Sequence, residues 1–82
     1  MEKKKIRTFM VRDNRFNRIF YVKAYSPTQA SLLVYIKKIV PRFKEMGLPI
    51  TKKTFYKLLK TKTLECFPFA NPPRIDFEVG RR

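Results

Sequence analysis

The side chains best placed to act on another molecule are cations. Lys52, Lys53, Lys57 and Lys60, joined by Tyr56, recur at spacings that gather them within an arc of about 140° of a helix, opposite Phe55, Leu58 and Leu59. Lys52 and Lys53 stand at the first two helical positions, at the positive end of the helix dipole. Acidic residues are favoured there, and each misplaced charge costs a few tenths to about 1 kcal/mol. No acid within the helix offsets them. A phosphate docked at that point would meet backbone N–H groups, the dipole and several ammonium groups together. The competing explanation is a plain solvated lysine face. A local rule broken without local compensation is nevertheless expected at functional sites, and this favours phosphate contact.

Two further groups have the same character. Arg12, Arg15 and Arg18 surround the turn Asp13-Asn14-Arg15-Phe16-Asn17, and arginine forks suit bidentate phosphate contact or insertion into a groove. Their alternative is a mobile loop. Lys3, Lys4 and Lys5 add a basic tail. Tyr21, Lys23 and Tyr25 alternate on one face of a strand, a face that Arg7 and Phe9 of a neighbouring strand could share. Aromatics interleaved with cations on an open sheet can stack bases while neutralising phosphates. The pattern of glycines and aromatics that marks RNA-stacking sheets is missing. That favours tyrosines lying under a helix or filling the second side of the sheet.

Groups for catalysis are few. The chain has no His, and Cys66 therefore lacks a His base. Arg74, Asp76 and Glu78 alternate along a strand and read as cross-strand salt bridging. Gly47 and Gly80 are the only glycines, so no glycine-rich loop cradles a phosphate. A zinc site would have to be built from carboxylates, so neither metal nor cofactor is expected. Cys66, between Glu65 and Phe67, reads as a small buried residue. One cysteine excludes an internal disulfide and fits a reducing compartment. No stretch approaches the ~20 apolar residues of a membrane span. Arg7, Arg12, Arg15 and Arg18 interrupt the residues after the basic start, so no signal peptide is read. A cytoplasmic, non-enzymatic protein without a membrane partner is the expectation.

The charge is unevenly spread. Of 82 residues, 20 are Lys or Arg and 6 are Asp or Glu, a net +14, and all of that excess lies in residues 1–64. Between Asp13 and Glu45, and again between Glu45 and Glu65, there are cations and no acid. Unpaired charge of this size self-repels, while it raises affinity and on-rate for a polyanion. It exceeds the magnitude of about 2–8 that solubility asks for. A hydrophobic fraction of 44% with eight Phe and four Tyr separates the chain from disordered basic tails. One domain over residues 1–82 is expected, with basic ends at 1–5 and 80–82.

The elements that must position these groups are set by local signals. Ile6–Arg12 and Arg18–Tyr25 read as strands of a hairpin, the second with Phe20, Val22 and Ala24 on one face. Ser26-Pro27-Thr28-Gln29 is an N-cap, a proline at the first helical position and a capping-box glutamine. The helix it opens should bury Leu32, Tyr35, Ile36, Ile39 and Val40, with Ser31, Lys37 and Lys38 away from that stripe. Pro41 should end or kink it, with a further short turn over residues 42–46. Gly47-Leu48-Pro49 reads as a stop, and Thr51 as the cap of the lysine-bearing helix over about 52–60. Leu64–Phe67 and Arg74–Val79 read as strands, the latter with Ile75, Phe77 and Val79 inward. The order ββα(α)αββ predicts a small α+β domain, an antiparallel sheet with two or three helices on one face.

The hairpin followed by Ala24-Tyr25-Ser26-Pro27-Thr28-Gln29-Ala30 and a Lys-ended helix resembles the ββα opening of several small ribosomal proteins. The likeness is architectural, spans roughly the first half of the chain and assigns no residue a role. The expected function is nucleic-acid binding through phosphates, with structured RNA in a ribosome or other ribonucleoprotein favoured over DNA. Cations spread over several sides of a small protein fit a wrapping partner better than one duplex groove. A DNA-binding regulator or viral accessory protein is the alternative, with a helix–turn–helix or winged element over residues 42–79 and the lysine helix in the major groove. That helix has no exposed Asn or Gln to read bases. A module or inhibitor that docks an acidic protein is the third possibility.

Overall fold

The structure is a computed structural model and describes residues 5–79. The expectations placed on Lys3, Lys4 and the end at 80–82 lie outside them. Strand β1 (Arg7–Asp13) and strand β2 (Arg18–Ala24) form an antiparallel hairpin in the register Met10↔Tyr21 and Asp13↔Arg18. Asn17 takes a positive φ of 53° in the turn, a conformation asparagine tolerates better than most residues. Strand β3 (Leu64–Pro68) pairs antiparallel with β1, and the two-residue strand β4 (Phe77–Glu78) pairs parallel with β2. The sheet order is β3-β1-β2-β4. An α+β architecture results, with a mixed rather than wholly antiparallel sheet.

The last strand is where expectation and structure part. Only Phe77 and Glu78 of the stretch 74–79 enter the ladder, and Ile75 is exposed. Asp76 explains the late start. Its carboxylate accepts the Tyr21 N–H at 2.8 Å and its own N–H donates to the Tyr21 carbonyl at 2.7 Å. A side chain thus occupies the place of a backbone partner. Arg74 braces it, with Nε 3.0 Å from Oδ1 and Nη2 donating to the Ile19 carbonyl at 3.1 Å. The cross-strand salt bridging expected of Arg74, Asp76 and Glu78 is not what forms: Arg74 pairs with Asp76 two residues away in the same segment, and Glu78 has no ion pair among the described residues. Because β3 and β4 lie at opposite edges, they cannot form the wing of a winged helix, and the segment between them must cross the sheet.

Helix α1 (Pro27–Val34) begins as the sequence reads. Ser26 Oγ accepts the Gln29 N–H at 3.1 Å, and Gln29 Oε1 reaches back to the Tyr25 N–H at 2.8 Å, one residue before the usual capping-box partner. Pro41 does not end the helix. A π-helical turn (Tyr35–Ile39) precedes it, closed by the Val40 N–H on the Tyr35 carbonyl, and helix α2 (Val40–Glu45) carries on with Pro41 in its first turn. Proline lacks an N–H and its ring clashes with the carbonyl four residues back. The wider turn removes that conflict. The buried face also departs from the expected stripe, and does so already in α1, before the wider turn. The core takes Ala30, Ser31, Val34, Tyr35, Ile39 and Phe43, while Leu32 and Ile36, expected inside, are exposed. Ser31, expected outside, is buried because α1 comes close to the sheet there.

Gly47 ends α2 with φ +69° and a Schellman pattern: its N–H reaches the Lys44 carbonyl and Leu48 N–H the Phe43 carbonyl. Thr51 caps helix α3 (Lys52–Lys60), accepting the Thr54 N–H at 3.2 Å. Phe55 is buried against Tyr35, ring centroids 5.2 Å apart, and Leu58 and Leu59 pack on the core. All helices lie on the sheet face that carries Phe9, Val11, Phe20, Val22 and Ala24. Burial pushes the Tyr35 phenol and the Cys66 thiol above their ordinary pKa values, a Ser31 hydrogen bond partly opposing the latter. Cys66 is half-buried and unpaired.

Candidate nucleic-acid interface

The cations form two groups, an exposed one along α3 and one around the hairpin tip. Along α3, Lys52, Lys53, Tyr56, Lys57 and Lys60 are all exposed, and no acid lies in the helix. The amphipathic pattern is therefore realised, and both misplaced lysines stand at the helix start. The α3–β3 turn adds Lys62, held at φ 59°.

The hairpin tip docks on that turn. Asn14 donates its N–H to the Thr63 carbonyl at 2.9 Å, and its amide to the Lys62 carbonyl and Glu65 Oε1 at 2.8 Å each. The tip is pinned rather than mobile. Asp13, 0% exposed, accepts from the Arg15 backbone N–H, Nε and Nη2 at 3.1–3.4 Å. A buried carboxylate needs such partners, since an uncompensated one would cost several kcal/mol. Arg15 is thereby half-buried against Phe43, its Cζ 5.3 Å from the ring centroid.

Phe16 projects from the tip, 44% exposed. Three guanidiniums surround its ring: the Cζ atoms of Arg15, Arg18 and Arg42 lie 4.9, 5.5 and 4.7 Å from the centroid. Arg18 also faces Phe20, and Lys38 Nζ stands 6.0 Å from both Phe20 and Phe77. Cation–π contacts of this sort contribute about 0.5–1 kcal/mol each at exposed sites. They hold planar cations in place despite mutual repulsion; Arg15 spends its Nε–Nη2 edge on Asp13, and Arg18 and Arg42 are the two whose donor edges face no carboxylate among the described residues. Sequence reasoning misses Arg42 and Lys38. Their i, i+4 spacing on the helix is the available signal, hidden by the expectation that Pro41 separates them.

Arg12 is not part of this cluster. It points to the opposite sheet face, half-buried and opposite Glu65 in the β1–β3 register. Arg7 and Phe9 do not join Tyr21 either. The register gives that face Thr8, Met10 and Arg12, while Phe9 is buried under the helices. Tyr21 fills the second side of the sheet: the crossing segment places the Phe69 ring 5.4 Å away and Arg74 Cζ 5.1 Å away. Tyr25, beyond the end of β2, stays exposed. The tyrosine pair read from the sequence is thus split, with one ring covered and one open.

Among the described residues, Arg15 and Arg74 are the cations with a carboxylate partner. No group of three or more His, Cys, Asp or Glu that could hold a metal ion occurs among them, and no helix is long and apolar enough to cross a membrane. Comparison with protein-family models, curated proteins and solved structures gives no match.

Proposed function

We propose that this is a non-catalytic nucleic-acid-binding protein of the cytoplasm, holding structured RNA of a ribosome or other ribonucleoprotein through its phosphates. The observation that carries this reading is the exposed, acid-free cation set of α3 together with the guanidinium cluster at the pinned tip. Both regions hold positive charge at a local cost in repulsion or dipole energy. A bound phosphate backbone offsets that cost. RNA is favoured over duplex DNA because the charge is distributed over more than one side, and because α3 offers lysines rather than base-reading amides. Purification from the native host without nuclease tests it: RNA should co-elute. Elution with a single acidic protein and no nucleic acid would refute it.

A second reading has one specific observation behind it. Exposed Leu32 lines a cleft of about 150 Å³ with Tyr35, Phe55, Tyr56 and Lys52. An acidic partner protein with an apolar anchor would suit that surface, and such a partner is the alternative outcome of the same purification.

A further inference from the structure

We propose that the cleft beside Tyr25 is a nucleotide site, taking one base against the tyrosine ring and that nucleotide's phosphate between Lys5 and Arg7. The cleft measures about 430 Å³ and is walled by Lys5, Arg7, Tyr25, Ser26 and Gln29. That volume falls within the roughly 300–1,000 Å³ of small-ligand sites. Among the described residues, no carboxylate lines it. Lys5 and Arg7, two apart on an extended chain, share one side of it, and Arg7 is steadied over the Phe9 ring, Cζ 5.4 Å from the centroid.

The aromatic wall is built and open. The Tyr25 backbone N–H is held by Gln29 Oε1 at 2.8 Å, so the residue is fixed to the start of α1. Its ring is exposed, and among the described residues no ring or guanidinium packs on it, in contrast to Tyr21. With its oxygen engaged, Gln29 has its amide nitrogen left to donate among the described residues. Ser26, whose Oγ accepts from Gln29, has its hydroxyl hydrogen left. Aromatic face, donors and two cations are the groups that recognise a base and its phosphate.

This chemistry has two sources: a free mononucleotide, or an unpaired nucleotide within a folded RNA. The second rests on the function proposed above. The test uses the full chain with a hairpin RNA bearing one bulged adenine, the same hairpin fully paired, and adenosine monophosphate with inorganic phosphate as its control. Binding of the bulged hairpin roughly tenfold tighter than the paired one supports the RNA source, since one stacked base carries about that much affinity. Saturable binding of the mononucleotide above inorganic phosphate supports the free source. In either case Tyr25→Ala should abolish the effect and Tyr25→Phe should keep it. Equal binding of the two hairpins with no mononucleotide binding overturns the site, as does an effect that survives Tyr25→Ala. If neither hairpin binds, the RNA reading fails, while the mononucleotide arm still decides the cleft.

Discussion

At the hairpin tip three guanidiniums crowd one phenyl ring, whereas along α3 four ammonium groups stand apart in solvent. The tip is organised before any partner arrives. Asp13 holds Arg15, Asn14 fastens the loop to the α3–β3 turn, and Phe16 spaces the arginines. Little side-chain entropy is left to lose on binding, and the planar forks are aimed. The four α3 lysines carry more charge, with no carboxylate in the helix to hold them. On the proposed reading they would follow a phosphate path by adjusting, and would contribute reach and salt dependence more than geometry. One region should therefore be sensitive to the kind of cation, the other to the amount of charge.

The largest effect should come from the helix. Lys52→Glu with Lys53→Glu should weaken RNA binding more than tenfold at low salt. It should also lower the magnitude of the log–log salt slope by about 1.4–1.8, as two lost phosphate contacts require. The same variant should melt slightly higher, because each reversal corrects the dipole by a few tenths to about 1 kcal/mol. Binding equal to the parent would remove α3 from the interface.

Exchanging one kind of cation for the other separates the two regions. Arg18→Lys with Arg42→Lys should lose several-fold in affinity, while Lys57→Arg with Lys60→Arg should bind as well as the parent or better. Equal responses, read by anisotropy titration, would erase the distinction between tip and helix. Asp13→Ala should cost about 1–3 kcal/mol in urea unfolding, since Arg15 loses the buried acceptor of three hydrogen bonds. An unchanged midpoint would mean the tip is held by Asn14 alone.

The smallest effect comes from two neutral groups whose burial, rather than a cation, shifts them. Burial raises the Cys66 thiol above its ordinary value of 9.0, so the folded state favours the protonated form. That stabilisation is complete below the ordinary value and is lost as pH rises through the raised one. Stability should decline above about pH 9, and less so in Cys66→Ala. Tyr35 adds a fall of the same sign at still higher pH. Unfolding curves between pH 8 and 11 read both.

The features legible in the sequence are local. The Ser26 and Thr51 caps, the Gly47 stop, the hairpin and the face of α3 each depend on residues close together in the chain, so residue type and spacing suffice to read them. The hidden features depend on distant partners or on one added residue. Nothing within 74–79 says that Asp76 stands in for a backbone group beside β2, or that β4 runs parallel to it. Pro41 announces a disturbance, but a π turn rather than a break is settled by Ile39 and Phe43 needing to reach the same core. The continued helix carries Arg42 to Phe16. Likewise the alternation of Tyr21 and Tyr25 is correct, yet only the crossing segment determines which ring is covered. The candidate site is half visible: the lysine helix by spacing, the tip by composition without Arg42 and Lys38.

Phosphate contact is tested most directly by the salt dependence of RNA binding by the full chain. A structured RNA titrated from low to physiological potassium chloride should bind tightly at first and then lose affinity along a straight log–log line, about −0.7 to −0.9 per phosphate contacted. A flat line, or indifference to RNA at the lowest ionic strength, would contradict it.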